Sequence, residues 1–250
     1  MATQSVEFAK VSFTPAGGRE ILRDISLRVE PGTTTALLGR SGSGKTTLLR
    51  TVNALVMPTS GRVLIGEQDV ATAEVIPLRR SIGYVIQENG LFPHMTVERN
   101  VALPLLLSGN QESAAIAHRV EQMLSMVGLN YAEFAERYPW QLSGGQRQRV
   151  GLARALVAEP KVLLMDEPFG ALDPLTRVEM QTMLRNLLRG VGVTTLIVTH
   201  DLEEALYLAD HVVLLEEGRV VADLAAGNVR SSQNEAMRKY VAATRRSDAA

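Results

Sequence analysis

The stretch "TTTALLGRSGSGKTTLLRTVNAL", Thr33 to Leu55, limits the fold more than any other part of the chain. A short β-branched and apolar run stops at a glycine-rich turn, and a helical pattern starts directly after it. Gly39, Gly44, Lys45 and Thr46 stand at the spacing G-x-x-x-x-G-K-[ST] of a phosphate loop, in the strand–turn–helix context that such a loop requires. The glycines let successive backbone N–H groups turn inward, and the helix start contributes partial positive charge. A lysine at this spacing reaches terminal phosphates. The candidate nucleotide ligands are therefore Gly39, Arg40, Ser41, Gly42, Ser43, Gly44, Lys45, Thr46 and Thr47, with the Thr46 hydroxyl also a candidate Mg²⁺ ligand.

Comparable apolar runs recur: Ile82 to Ile86, Lys161 to Met165, Val193 to Val198 and His211 to Leu215. Their near-continuous apolarity predicts strands buried on both faces of a mainly parallel sheet, with helices between them. Ile25 to Gly32 and Gly61 to Val70 carry more charge and end in turns, as antiparallel edge strands do. Glu216 to Arg219 reads as a hairpin turn. Between Gln87 and Pro160 the β pattern stops, and Ile116, Val120, Met123, Leu124 and Val127 share one helical face closed by Gly128. Asp173 and Pro174 start a further helix whose face, Met180, Met183, Leu184, Leu187 and Leu188, is expected to end at Gly190. The fold class is α/β. The expected division is a core over 1–87, a helical insert over 88–159, a continued core over 160–225, and a helix with a polar tail over 226–250.

With no cysteine in 250 residues, disulfides and thiolate chemistry are excluded and a reducing compartment is expected. A formal charge of −1 gives no electrostatic footprint for nucleic acid. The first ten residues lack the apolar centre of a secretory signal, and no apolar run approaches membrane-spanning length. The cytosol is the expected location, and any membrane role must come through a partner.

Two carboxylates, Asp166 and Glu167, follow the run "KVLLM". An acidic residue at the end of a buried strand can hold a metal, and a neighbouring one can orient and activate water. Asp166 is assigned to Mg²⁺ and Glu167 to water. His200 and Gln87 also follow buried strands, where ligands of open α/β sheets bind. The imidazole can hydrogen-bond a terminal phosphate or simply start the next helix. The Gln87 amide can meet metal-bound water, accept, or donate to phosphate.

A second glycine-rich helix start lies at "QLSGGQRQR", Gln141 to Arg149. With "LSGGQ" complete, the chain resembles the ATP-binding-cassette (ABC) family over nearly its whole length. The resemblance implies a RecA-like P-loop NTPase core with an antiparallel β edge and an inserted α-helical subdomain. It implies that ATP with Mg²⁺ is sandwiched between the phosphate loop of one subunit and Ser143, Gly144, Gly145 and Gln146 of another. The partner would be a second copy or a paralogous cassette. Gln87 then senses a permease and touches Mg²⁺, Asp173 in "GALD" communicates between sites, and Glu167, His200, Gln87 and Lys45 form the catalytic set. One departure stands out: where many members have an adenine-stacking tyrosine after "VSFT", this chain has Pro15, which leaves Phe13 as the nearest aromatic or as an inward strand residue.

The segments Arg79 to Pro104 and Met165 to Arg177 resemble importers of glycine betaine, choline and related osmoprotectants. That branch implies two permease subunits, with Gly90 to Met95 near them, and an extracytoplasmic binding protein acting indirectly. Many members of the branch carry paired regulatory domains after the ATPase, which this sequence does not extend to include. An importer of another small solute, such as an amino acid, and an exporter are the alternatives.

Overall fold

The structure is a computed structural model describing residues 3–86, 90–109, 112–170 and 172–247. Its elements in chain order are β1 (Val6–Phe13), β2 (Leu22–Val29), β3 (Thr34–Leu38), α1 (Lys45–Val52), β4 (Ser60–Ile65), β5 (Gln68–Asp69), α2 (Val75–Arg80), β6 (Ile82–Val85), α3 (Val97–Ser108), α4 (Ser113–Met126), α5 (Tyr131–Phe134), α6 (Gly144–Leu156), β7 (Val162–Asp166), α7 (Pro174–Val191), β8 (Thr194–Val198), α8 (Leu202–Leu208), β9 (His211–Glu216), β10 (Arg219–Ala225) and α9 (Glu235–Ser247). They divide into two compact units. One joins Thr3–Val75 to the chain from Thr194 onward, and the other is Ile76–Val193.

In the first unit, β1, β2, β4 and β5 form an antiparallel sheet in the order β2-β1-β4-β5. Leu22, Ile25, Leu27 and Val29 of β2 are buried while the residues between them face outward, the alternation of a sheet with one covered face. A second sheet places β3 between the parallel neighbours β8 and β9, with β10 antiparallel to β9. All five residues of β3 and all five of β8 are buried, as expected for central parallel strands. The β9–β10 hairpin turns at Glu217 and Gly218, both with positive φ (46° and 78°), the geometry of a two-residue turn that matches strand twist.

In the second unit, β6 and β7 run parallel, pairing Ile82 with Val162 through Val85 with Met165. Its described residues between 90 and 160 contain no strand. The expected face of α4 is buried at Ile116, Val120, Met123 and Leu124, and Gly128 follows in the left-handed region (φ 75°). Helix α7 begins as expected, with Asp173 accepting from the Thr176 N–H and Pro174 in the first turn.

The segment read as one edge strand from Gly61 to Val70 is instead the β4–β5 hairpin, turning at Gly66 (φ 61°), and three further boundaries differ from the sequence expectation. Helix α7 passes Gly190 and stops at Gly192, where φ is 65° and the N–H closes on the Leu188 carbonyl at 2.8 Å. Nothing crowds either glycine, so which of them takes the left-handed stop is not written in the local sequence. Helix α1 stops at Val52 rather than near Leu55, because Ala54 enters the left-handed region (φ 56°). Strand β2 starts at Leu22, three residues early, because Phe13 of β1 pairs with it. Strand β1, foreshadowed in the sequence only by Phe13 as an inward strand residue and given no bounds there, explains that extension.

Candidate nucleotide site

The phosphate loop of the first unit is built from three directions. Strand β3 delivers Gly39 and α1 carries the chain away from Lys45. The β9–β10 hairpin supports the loop from beneath, where the Gly218 N–H donates to the Ser43 carbonyl at 3.1 Å. Gly39 is fixed by close approach: at φ 150° an added Cβ would lie 2.3 Å from the Leu215 carbonyl oxygen and 2.8 Å from Ser43 Oγ. The Lys45 ammonium is buried with its residue (5% exposed) and donates to the carbonyls of Gly39 at 2.8 Å and Arg40 at 2.9 Å. Ser43 is also buried, and its Oγ has no hydrogen-bond partner among the described residues. A buried hydroxyl left unpaired is uncommon enough to need a reason. A phosphate oxygen supplies one, and the residues here fit a bound polyphosphate. Arg40, Ser41, Gly42 and Ser43 open onto a cleft of about 1100 Å³ that also touches Ile21 and Tyr240.

His200 belongs to the same unit and the same sheet edge. Strands β3 and β8 pair Leu37 with Val198 in parallel, so both chains leave the sheet on the side of the phosphate loop. The Thr199 N–H still bonds the Leu37 carbonyl at 3.2 Å, and Asp201 caps α8 by accepting from the N–H groups of Glu203 (2.8 Å) and Glu204 (3.1 Å). His200 is thus an exposed residue on a short, pinned bend. Thr46 and Thr47 lie half-buried in the first turn of α1. Phe13 is half-buried at the end of β1, its carbonyl accepting from the Ile21 N–H at 2.8 Å.

The second unit gathers the remaining described candidates. Asp166 ends β7 and is 5% exposed. Glu167 follows in the left-handed region (φ 46°), rare for a residue with a Cβ and a form of strain found at functional turns. Ser143 caps α6 through a reciprocal box, its Oγ accepting from the Gln146 N–H at 3.2 Å while the Gln146 side chain accepts from the Ser143 N–H at 2.9 Å. Gly144 has room for a side chain. Gly145 does not: a Cβ there would lie 2.6 Å from Thr176 Cγ2 in the first turn of α7. Hydrogen bonds from the Thr176 hydroxyl and N–H hold the Asp173 carboxyl below the ordinary carboxylate range, which keeps it anionic.

Gln87, expected as a metal ligand and sensor, lies outside the described residues. Among the described residues no three His, Cys, Asp or Glu side chains cluster as a metal site. Of the other two residues expected to hold Mg²⁺, Thr46 belongs to the first unit and Asp166 to the second.

The structure adds two residues that the motif pattern misses. Asn100 on α3 is fully buried, accepts from the Phe92 N–H at 2.8 Å, and donates to the carbonyls of Phe92, Met95 and Thr96 at 3.0–3.1 Å. It holds the loop before α3 in shape. Arg154, whose burial lowers its pKa, donates to the Gly90 carbonyl at 2.8 Å. Arg154 lines an apolar cleft of about 490 Å³ together with Ile76, Ile82, Phe92 and Leu107, and Asn100 holds the backbone of Phe92 there. A lone asparagine in a helix gives no sequence signal of such a role.

A parallel β-sheet with a glycine loop at a helix start, ending in a buried lysine and an unpaired serine, defines a phosphate-loop nucleotide-binding protein. The model of the ABC transporter family matches residues 22–170, and the chain belongs to that family. It is 46% identical over 217 residues to the glycine betaine uptake system ATP-binding protein YehX of Escherichia coli (strain K12), covering 86% of this chain and 69% of that one. It is 50% identical over 202 residues to the sulfate/thiosulfate import ATP-binding protein CysA 2 of Agrobacterium fabrum (strain C58 / ATCC 33970), covering 80% and 58%. For other curated relatives the matched part is about half of their length (54%). Among solved structures, the dimeric MJ0796 cassette, a bacterial ABC transporter cassette, superposes with a TM-score of 0.79 at 33% identity, covering 88% of this chain and 98% of that one. The fold is that of an ABC ATPase with a RecA-like core. Among the described residues no helix is long and apolar enough to cross a membrane.

Proposed function

We propose that the chain is the ATP-binding and ATP-hydrolysing subunit of an ABC importer, working as a dimer around two ATP molecules. One observation carries the reading most directly: the Ser43 hydroxyl is buried and unpaired inside a loop that otherwise satisfies every constraint of a phosphate cradle. Lys45 and the backbone N–H groups of Gly39 to Thr47 bind the phosphates. Ser143, Gly145 and Gln146, at the start of α6, meet the terminal phosphate bound by another copy. The dimeric MJ0796 structures, one of them described as a post-hydrolysis state bound to ADP and Pi, support that arrangement.

In this reading Thr46, Asp166 and Gln87 hold Mg²⁺. The ion, when bound, neutralises phosphate charge and polarises the bond to be broken. Glu167 orients water and takes its proton. His200 donates to the terminal phosphate, and Asp173 links the two sites across the dimer. Phe13 is the aromatic available to the base. Closing the dimer depends on contacts with one phosphoryl group, so its loss favours reopening.

Because each site needs a second copy, turnover per chain is expected to climb with protein concentration until the dimer saturates. Phosphate release measured across a dilution series in MgATP checks this. Turnover per chain that stays constant down to low concentration, with the protein monomeric by light scattering, rules out the shared site.

The permease-facing surface in this reading is the apolar cleft beside Gly90 to Met95, where Ile76 (65%), Leu107 (58%) and Phe92 (41%) are unusually exposed for apolar residues. The transported solute is read as a quaternary amine osmoprotectant, supported by the relative named for glycine betaine uptake. The similarity to the relative named for sulfate and thiosulfate import gives the second reading. Deleting the gene is expected to abolish uptake of radiolabelled glycine betaine at high osmolarity and to spare sulfate uptake. The opposite pattern selects the second reading.

A further inference from the structure

Helix α9 carries none of the motifs of ATP chemistry, yet it reaches the nucleotide site. Asn234 starts it, accepting from the Met237 N–H at 3.0 Å and donating to the Val221 carbonyl of β10 at 2.8 Å. Met237 (0% exposed) and Val241 (7%) sink into the cluster formed by Ala36, Leu38, Leu202 and Leu214. That packing aims Tyr240, between them, at the pinned bend described above. Its hydroxyl donates to the His200 carbonyl at 2.9 Å, and its ring lines the cleft that opens on Arg40 to Ser43.

We propose that Tyr240 is a positioning residue for His200: the phenol fixes the backbone of that residue and so sets where its imidazole stands beside the phosphate loop. The proposal rests on the ATPase reading above. Packing alone does not account for a tyrosine here, since a phenylalanine ring would fill the same place against the cluster. What the hydroxyl adds is its bond to the His200 carbonyl, together with a hydrogen bond from the Gly39 backbone at the phosphate loop. From the other sides the bend is held by the Thr199 N–H, bonded to the Leu37 carbonyl of β3, by the Asp201 cap, and by Arg230, whose guanidinium grips both carboxylate oxygens of Glu203 at 2.6 Å. Asp201 and Arg40 are the charged groups that act on the phenol. Burial, with Asp201 adding to it, pushes its pKa up to about 12 against the opposing pull of Arg40 and the Gly39 backbone, so the donor proton is present throughout the neutral range.

The test is Tyr240→Phe in the full chain. Steady-state hydrolysis is expected to show kcat lower by about 5–30-fold with KM for MgATP within about 2-fold, the mark of a misplaced group used only in the transition state. The thermal midpoint is expected to stay within about 3 °C, the size of shift that losing one ordinary hydrogen bond gives in a chain of this length. In the nucleotide-free protein with 13C-labelled histidine, the His200 Hε1 resonance is expected to move or broaden in Tyr240→Phe while those of His94, His118 and His211 hold still. In a His200→Ala background the residual turnover is expected to be indifferent to Tyr240→Phe. An unchanged kcat and an unmoved His200 resonance overturn the proposal, as does a loss of equal factor in the His200→Ala background or one that tracks a fall in folded protein. If wild type itself hydrolyses no ATP, the ATPase reading fails, whereas normal wild-type turnover with a silent Tyr240→Phe removes only the present inference.

Discussion

Glu167→Gln is expected to bind ATP as tightly as wild type, to collect as a stable dimer in its presence, and to hydrolyse it about 10²–10⁴-fold more slowly, the range a positioned general base contributes. The amide keeps the shape of the carboxylate and can still touch water, but it cannot take a proton. Single-turnover phosphate release and light scattering on the same sample measure both halves. Turnover near that of wild type would remove Glu167 from the water-activating role. The backbone offers a second check. Glu167 sits at φ 46°, where a Cβ costs on the order of 1–2 kcal/mol that glycine does not incur. Glu167→Gly should therefore unfold at the same or a higher temperature while losing activity as fully. A residue kept for stability would behave in the opposite way.

The second large effect is expected at Lys45. Lys45→Met retains the buried stem and removes the ammonium, together with its bonds to the Gly39 and Arg40 carbonyls. Charge-assisted hydrogen bonds contribute about 1.5–3 kcal/mol each, so nucleotide affinity should fall by about 100-fold. Calorimetric titration with ATP, and with ADP for comparison, measures this. Affinity within 2-fold of wild type would mean that the loop binds through its backbone alone and that the lysine is a structural tie between two carbonyls.

How much of this was readable beforehand depends on whether the cause was local. The phosphate loop, the Ser143 box and the Asp173 cap each depend on residues within a few positions of one another, so their spacing in the sequence already states their geometry. The central strands β3, β7 and β8 were readable because burial on both faces leaves no polar interruption. The bounds of strand β1 escaped because its pattern of burial is set by β2 and β4, which pair with it from both sides with shifts in register. Asn100 and Tyr240 escaped for a related reason: each acts through main-chain groups brought to it by folding, 4 to 40 residues away, and neither has a distinguishing neighbour. The choice between Gly190 and Gly192 as the end of α7 was open in principle, since both can take the left-handed form.

The close fit of Gly145 against Thr176 has an effect beyond packing. Thr176 is also the residue that holds the Asp173 carboxyl, so a single residue links Gly145 in the first turn of α6 to the aspartate before α7. In the proposed reading, where Gly145 meets a terminal phosphate and Asp173 faces a second copy, one threonine stands against both contacts.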